Sequence, residues 1–270
     1  MNDEAVTPRT IWRYESSGAF RTLSDTIVRE TPLTVRLNGE EFATVVISPG
    51  DLEDWVVGFL ASEGVIRSPS EIISLQLDPW KGFAYVELQN PLPARQRDHS
   101  KRFIGSCCGK SRQFYFQGDA RTARTVLSRH TVTPDQCFAL MAHLQDSSDV
   151  FRHTGGVHNA ALCSADALLV RRSDIGRHNA LDKLFGHSLR QGLPLHDKVL
   201  AFSGRVSSEV LLKAAKMGIG LLLSKSAPTD LALNLADDLG ITVIGFIRGS
   251  SLNVYSHPER VQPSAGTARA

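Results

Sequence analysis

Lys198-Val-Leu-Ala-Phe-Ser-Gly-Arg205, Gly220-Leu-Leu-Leu-Ser-Lys-Ser226 and Ile241-Thr-Val-Ile-Gly-Phe-Ile-Arg248 are short apolar runs, each closing on small residues and a cation. Between them the apolar positions recur at helical spacing. The pattern predicts a helix over 178–190, then strand 198–203, helix 207–217, strand 219–224, helix 228–239 and strand 241–247. Gly192, Gly218 and Gly240 fall where helix C-caps belong, and Pro228 falls where a first helical turn belongs. Strands separated by helices of this length pair in parallel through right-handed crossovers. The fold class is therefore α/β.

Upstream of this alternation, 159–163 and 167–172 read as a hairpin, Thr154-Gly155-Gly156 as a tight turn, and 135–144 as a helix. The N-terminal part reads differently. Leu33-Thr-Val-Arg-Leu37, Asn38-Gly39 and the run 41–47 spell strand, turn, strand. Ser48-Pro-Gly-Asp51 opens a helix that lasts to about Glu63, with Leu52, Val56, Phe59 and Leu60 on one face, and 83–88 is a further strand. The proline- and charge-rich stretch 91–100 reads as a linker. The expected organisation is a β-rich N-terminal domain (1–100), a connecting segment (101–130), an α/β domain (131–260) and a tail (261–270).

Composition narrows the function. Thirty basic residues against 28 acidic leave a net charge of +2 over 270 residues, which gives no global pull toward nucleic acid. The beginning, Met1-Asn-Asp-Glu-Ala-Val6, shows no apolar leader, and no apolar run is long enough to span a bilayer. Four cysteines, two of them adjacent, do not make an extracellular disulfide framework. The expectation is a protein of the reducing cytoplasm, without membrane or nucleic-acid partners.

The loops after the strands have a common character. Ser173-Asp-Ile-Gly-Arg-His-Asn179, Ser203-Gly-Arg205, Ser224-Lys-Ser-Ala-Pro228 and Arg248-Gly-Ser-Ser251 each combine small residues with a cation. Parallel strands put their C-terminal ends on one edge, where open α/β sheets bind ligands. The first loop joins that edge if the hairpin's second strand runs the same way. Small residues, free N–H groups at helix starts and cations suit phosphate oxygens. The candidates are Arg177, His178, Asn179, Ser203, Gly204, Arg205, Ser226 and 248–251. His158 and His178 read either as pocket residues or as satisfied structural histidines. No Cys-x-x-Cys or His-x-x-x-His pairing seeds a metal site.

The chemistry-bearing stretch is Arg102-Phe-Ile-Gly-Ser-Cys-Cys-Gly-Lys-Ser-Arg112. A disulfide between neighbours is strained, because adjacent Cα atoms lie about 3.8 Å apart and ordinary bridges need roughly 4.4–6.8 Å. The surrounding cations favour thiolate, the form that attacks and accepts sulfur. Gly105 to Lys110 falls short of a phosphate-binding P-loop, with three residues between the glycines where four are needed. Cys137 and Cys163 read as core.

The chain resembles the FdhD family from about residue 20 to 260, and six spaced motifs carry the resemblance. They are Gly105-Ser-Cys-Cys-Gly-Lys-Ser111, Thr154-Gly-Gly-Val-His158, Asp174-Ile-Gly-Arg-His-Asn-Ala-Leu-Asp-Lys183, Ser203-Gly-Arg205, Ser226-Ala-Pro228 and Gly245-Phe-Ile-Arg248. The resemblance implies a C-terminal three-layer α/β/α domain similar to the cytidine deaminase fold. It does not bring deaminase chemistry, since no His-x-Glu or Pro-Cys-x-x-Cys is present. It also implies a sulfur carrier that accepts persulfide sulfur from a cysteine desulfurase. The carrier passes that sulfur to a molybdenum (or tungsten) bis-guanine-dinucleotide cofactor, the molybdenum bis(molybdopterin guanine dinucleotide), before insertion into formate dehydrogenase. Family members often carry two residues between their cysteines. Here the pair is adjacent, so alignment from the left gives Cys107 the persulfide role and alignment from the right matches Cys108 to the second cysteine. The family's guanine-dinucleotide contact falls on Phe246, Ile247, Arg248, Gly249, Ser250 and Ser251. Rival readings of the same residues are a non-covalent cofactor chaperone and a vicinal-thiol redox sensor. A homodimer is a further expectation.

Overall fold

The computed structural model describes residues 5–16, 18–90, 102–104, 123 and 125–263. In the N-terminal part, β1 (Val6–Tyr14) and β2 (Phe20–Val28) pair only with each other among the described residues, as an antiparallel ribbon. A five-stranded sheet follows, built from β3 (Thr31–Leu37), β4 (Glu40–Ile47), β5 (Ile72–Asp78), β6 (Phe83–Leu88) and β7 (Arg102–Ile104), in the order β5-β6-β3-β4-β7. The β3–β4 turn is set by Asn38 (φ 48°) and Gly39 (φ 82°), both left-handed as a two-residue hairpin turn demands. Helix α1 (Leu52–Ser62) leaves this sheet and is buried from Asp54 to Ser62.

Helices α2 (Pro134–Asp146) and α3 (Asp149–Thr154) come next. Thr133 and Gln136 cap the first reciprocally, with Pro134 in its first turn. Then β8 (His158–Cys163), β9 (Leu168–Asp174), α4 (Arg177–Arg190), β10 (Val199–Phe202), α5 (Ser208–Met217), β11 (Leu221–Ser224), α6 (Asp230–Leu239), β12 (Thr242–Arg248) and β13 (Ser251–Val254) complete the chain. They build a six-stranded sheet in the order β13-β12-β11-β10-β8-β9. Strands β10, β11 and β12 are mutually parallel, while β8 is antiparallel to both β10 and β9. Two reversals make β9 run with β10, so the condition on the first loop is met.

Side chains alternate between two hydrophobic clusters. Ala160, Leu162, Leu200, Phe202, Leu222 and Val243 face one way, with Leu181, Leu184, Val210, Leu211 and Ala236 from α4, α5 and α6. Ala161, Cys163, Val199, Ala201, Leu223 and Ile244 face the other, against Cys137, Leu140, Met141 and Leu144 of α2. Helices thus cover both faces of the sheet. Gly218 and Gly240 end α5 and α6 in the left-handed region, as expected (φ 74° and 72°). Pro228 differs from expectation: Thr229 is the cap, α6 starts at Asp230, and Pro228 instead bridges to Val206. The end of β12 also differs, since 249–250 is the tight turn of a β12–β13 hairpin rather than a loop into a helix.

The first cluster does not stop at residue 100. It includes Leu33, Val35, Ile47, Trp55, Phe59 and Leu60 alongside the residues of α4 and the sheet. The reason is a backbone-to-backbone crossing of α1 and α4. A Cβ on Gly58 would lie 1.8 Å from the Asp182 carbonyl oxygen, and one on Gly186 1.8 Å from that of Asp54. Polar bonds surround this crossing. Lys183 and Asp174, both essentially fully buried, form an ion pair at 2.8 Å. Asp174 also accepts from the Ser48 amide (3.0 Å), the Gly176 amide (2.8 Å) and Asn179 Nδ2 (3.0 Å). Asp182 accepts from Ser62 Oγ at 2.6 Å and pairs with buried Lys213. Asp54 receives Arg172 at 2.7 Å and Arg190 on its other oxygen. Burial works to raise the Asp54 carboxyl, but these guanidinium bonds outweigh it and hold it below the usual carboxylate range. Breaking one partner of such a buried pair costs about 3–5 kcal/mol.

Candidate functional site

The C-terminal ends of β9, β10, β11 and β12 share one edge, and the start of antiparallel β8 joins them. Each loop contributes its predicted cation there: Arg177, Arg205, Lys225 and Arg248. Neighbouring loops are bonded to one another. The Ser203 amide donates to the Asn159 carbonyl (3.0 Å), and the Asn159 amide to Ser203 Oγ (2.9 Å). Ser224 Oγ donates to the Gly204 carbonyl at 2.8 Å and accepts from the Ser226 amide at 3.0 Å. The Phe246 amide reaches the Ser226 carbonyl at 3.3 Å, and Arg248 Nε the Lys225 carbonyl at 3.3 Å.

Gly204 is a close-approach position. A Cβ there would stand 2.8 Å from the Phe202 ring and 3.3 Å from His158 Nδ1. His158 is therefore pressed against the Ser203-Gly204 turn. Burial pushes its pKa down, and the Arg177 charge pushes it further, against a smaller opposing pull from Asp174. At neutral pH it is an uncharged donor or acceptor rather than a cation. The Nε of Arg177 is buried without a hydrogen-bond partner among the described residues. His178 turns to α5, where Nε2 lies 2.9 Å from Glu209.

Phe246 has φ 51°, unusual for a side chain with a Cβ, and it sits in the register shift between Gly245 and Arg248. A bulge of this kind re-aims a side chain. Phe246 is exposed as a result, and the Arg248 guanidinium stacks 5.3 Å from its ring centroid. Gly249, Ser250 and Ser251 are exposed beside them.

Two predicted residues turn away from this surface. Asn179 is buried in the joint between the halves: Nδ2 donates to the Val46 carbonyl and to Asp174, and Oδ1 accepts from Trp55 Nε1. Both of its side-chain donors are thus spent, leaving none for a phosphate oxygen. The Ile247 side chain is 2% exposed and packs in the α2-side core, so only its backbone can face a ligand. The predicted Cys107 and Cys108 lie outside the described residues. What can be followed is the strand leading to them. β7 runs parallel to β4, with Ile104 beside Val45, and β4 ends near Ser48, which is bonded to Asp174 at the sheet edge.

A pocket of about 250 Å³ opens beside His158, Asn159 and Ser203. Sequence reading missed the contributors from α2 and α3, which are Met141, Leu144, Gln145 and Phe151. Lys225 Nζ donates to Gln145 Oε1 at 2.9 Å and closes one side. The turn Gly155-Gly156-Val157 forms another wall, with Gly155 left-handed at φ 63°. The pocket offers amides, a hydroxyl, an imidazole and the Lys225 amine against an apolar wall of Met141, Leu144 and Phe151, while the arginines belong to the loops of the same sheet edge. Groups of these kinds are chemically able to pair with phosphate oxygens and to cover an apolar ring. Among the described residues no cluster of His, Cys, Asp and Glu suits a metal ion, and no helix is long and apolar enough to cross a membrane.

Known proteins place these features in a family. The chain is 55% identical over 262 residues to the sulfur carrier protein FdhD of Bacillus subtilis (strain 168), covering 97% of this chain and 100% of that protein. It is 57% identical to the sulfur carrier protein FdhD of Geobacillus kaustophilus (strain HTA426), covering 97% and 99%. A solved structure of a formate dehydrogenase accessory protein from Desulfotalea psychrophila superposes with a TM-score of 0.77 at 25% identity, covering 96% of this chain and all of that one. Residues 28–262 match the model of the FdhD/NarQ family. The chain belongs to the FdhD/NarQ family.

Proposed function

We propose that this protein carries sulfur for the maturation of formate dehydrogenase. The observation that supports it best is the convergence of four cation-bearing loops, stitched to one another, on a single sheet edge. The substrate held there is the guanine-dinucleotide form of the molybdenum cofactor, or its tungsten equivalent. Its phosphates meet Arg177, Arg205, Lys225 and Arg248, and a ring stacks at Phe246. The likeness of 131–260 to the cytidine deaminase fold belongs to this reading as architecture only: His158 is followed by Asn159 and Ala160, with no glutamate to move a proton.

The covalent work falls to Cys107. Its thiolate attacks the terminal sulfur of a persulfide on a cysteine desulfurase. One S–S bond breaks, one forms, and the desulfurase cysteine leaves as thiolate. The Cys107 persulfide then gives up its terminal sulfur to the bound substrate. Cys107 returns to thiolate, and the two electrons that convert sulfane sulfur to sulfide come from the reduced metal of the acceptor. Cys108, its neighbour in sequence, is the candidate second thiol. Cys137 and Cys163 take no part, because burial pushes each thiol up to about 12.

Intact-protein mass after incubation with a desulfurase and cysteine tests the reading. The expected result is a gain of about one sulfur, reversed by reductant, lost in Cys107→Ala and kept in Cys137→Ala. Full loading and full formate dehydrogenase activation by Cys107→Ala would overturn it in favour of a non-covalent chaperone.

A further inference from the structure

The opposite edge of the six-stranded sheet carries a second, larger concavity of about 790 Å³. Its walls come from the segments that precede the strands: His196 and Asp197 before β10, Met217 and Gly218 before β11. Residues 125–130 form one long side. They belong to no helix, turn or strand. They are fixed to the sheet edge where the Val126 amide donates to the Leu239 carbonyl at 2.7 Å, and where Gly220 makes room for Ser128.

Three properties of this cleft converge. The rim is basic: Arg67 and Arg129 are exposed on it, His130 and Lys216 line it, and its one carboxylate, Asp197, is held by Lys198. The floor is apolar, made by Ala61, Ile66, Phe185 and Met217, and Leu127 projects at the lip with 88% of its surface exposed. Finally, the backbones of Leu127 and Arg129 make no hydrogen bond among the described residues. A wall whose N–H and C=O groups are unpaired among the described residues, above an apolar floor, suits a peptide added alongside it as a strand. The surrounding cations choose the charge of that peptide.

We infer that this cleft docks an extended, acidic segment of a partner protein, with one large apolar side chain seated on the Phe185–Met217 floor. The occupant must bring negative charge. Residues 105–122 of this chain do not qualify, with Lys110, Arg112 and Arg121 against Asp119. The cleft and the loop-bearing edge lie at opposite ends of the same strands, so both can be filled at once. This inference stands apart from the proposed function, since it needs neither the cysteines nor the cofactor.

The test uses the full chain and a short fluorescein-labelled peptide of glutamates flanking a central Leu-Phe pair, followed by anisotropy. Saturable binding is expected, weakening as salt rises. Arg67→Glu combined with Arg129→Glu is expected to weaken it at least about tenfold, with GDP binding unchanged. Both side chains are exposed, so the fold tolerates the pair; Leu127→Asp is a second variant expected to weaken the peptide in the same way. Undiminished binding in both variants would overturn the inference. So would displacement by GDP, which places the peptide at the other edge, or displacement by inorganic phosphate at matched ionic strength, which makes this a small-anion site. Equal binding of a lysine-substituted peptide would overturn it as non-specific adhesion. Self-association of the chain that the double variant abolishes would overturn it in favour of a second copy.

Discussion

Reversing the charge at Arg248 is the most informative single change to the loop-bearing edge. Arg248 is exposed; among the described residues its side chain makes one long bond to the Lys225 carbonyl at 3.3 Å and stacks on Phe246 at 5.3 Å. Arg248→Glu therefore costs the fold little, roughly 0.5–1 kcal/mol for an exposed cation–π pair. Its effect on a bound phosphate is larger. Two unit charges about 4 Å apart in water interact by about 1 kcal/mol, so turning attraction into repulsion changes binding by about 2 kcal/mol, or roughly 30-fold. Exposure also means that salt screens most of this. Calorimetry with GDP is expected to show a roughly 30-fold weaker affinity at low salt, shrinking to a few-fold at high salt. Sulfur loading measured by mass stays normal, because the cysteine pair is far away in sequence, while formate dehydrogenase activation falls. A GDP affinity within twofold of the parent at low salt would show that Arg248 is a solvated surface residue, and the phosphate reading would lose its most exposed cation. Failed loading in a protein that still melts cooperatively would place Arg248 against the sulfur donor instead.

Two further changes probe the frame and the pocket. Gly186→Ala puts a methyl where the Asp54 carbonyl already stands, so thermal melting should show a loss of at least about 3 kcal/mol or an insoluble protein; a melt unchanged from the parent would mean that the two helices part freely. His158 is held neutral by burial and by Arg177, so its folded pKa lies below the unfolded value. Its contribution to stability is full above the unfolded pKa of about 6.5 and is lost as pH falls from there toward the folded pKa. His158→Asn should therefore flatten the drop in melting temperature between neutral and mildly acidic pH, and an identical drop in the variant would refute the assignment.

Much of the α/β half is legible in the sequence because its strands are buried on both faces. Val199-Leu-Ala-Phe202 and Leu221-Leu-Leu223 read as unbroken apolar runs, and left-handed glycines mark the helix ends. The loop-bearing edge is legible for the same reason, since its residues follow those runs directly. The β1–β2 ribbon is not, because its strands carry no burial rhythm: residues 8–10, 12–14, 20–22 and 24 are all exposed, leaving no period to detect. β13 escapes too, as Ser251-Leu-Asn-Val254 is a half-exposed edge strand. Asn179 shows the limit for sites. A polar residue at a helix start after a glycine looks the same whether it awaits a phosphate or ties two halves together, and only its partners Trp55 and Val46, more than a hundred positions away, decide. Gln145 and Phe151 reach the pocket from the opposite layer, and nothing in their local sequence points there.

The crossing at Gly58 and Gly186 sets a distance that no side chain can adjust. Most helix pairs are separated by rotamers, which take up small displacements as a cushion would. Here main chain rests on main chain, so the spacing between the sheet that leads into the cysteine pair and the sheet that carries the cation-bearing loops behaves as a gauge block. Mutations elsewhere in either half can reshape loops without altering it. On the proposed reading, sulfur reaches its acceptor without one half swinging on the other. A rigid frame of this kind leaves the length and composition of residues 105–122 as the quantity through which transfer can be tuned.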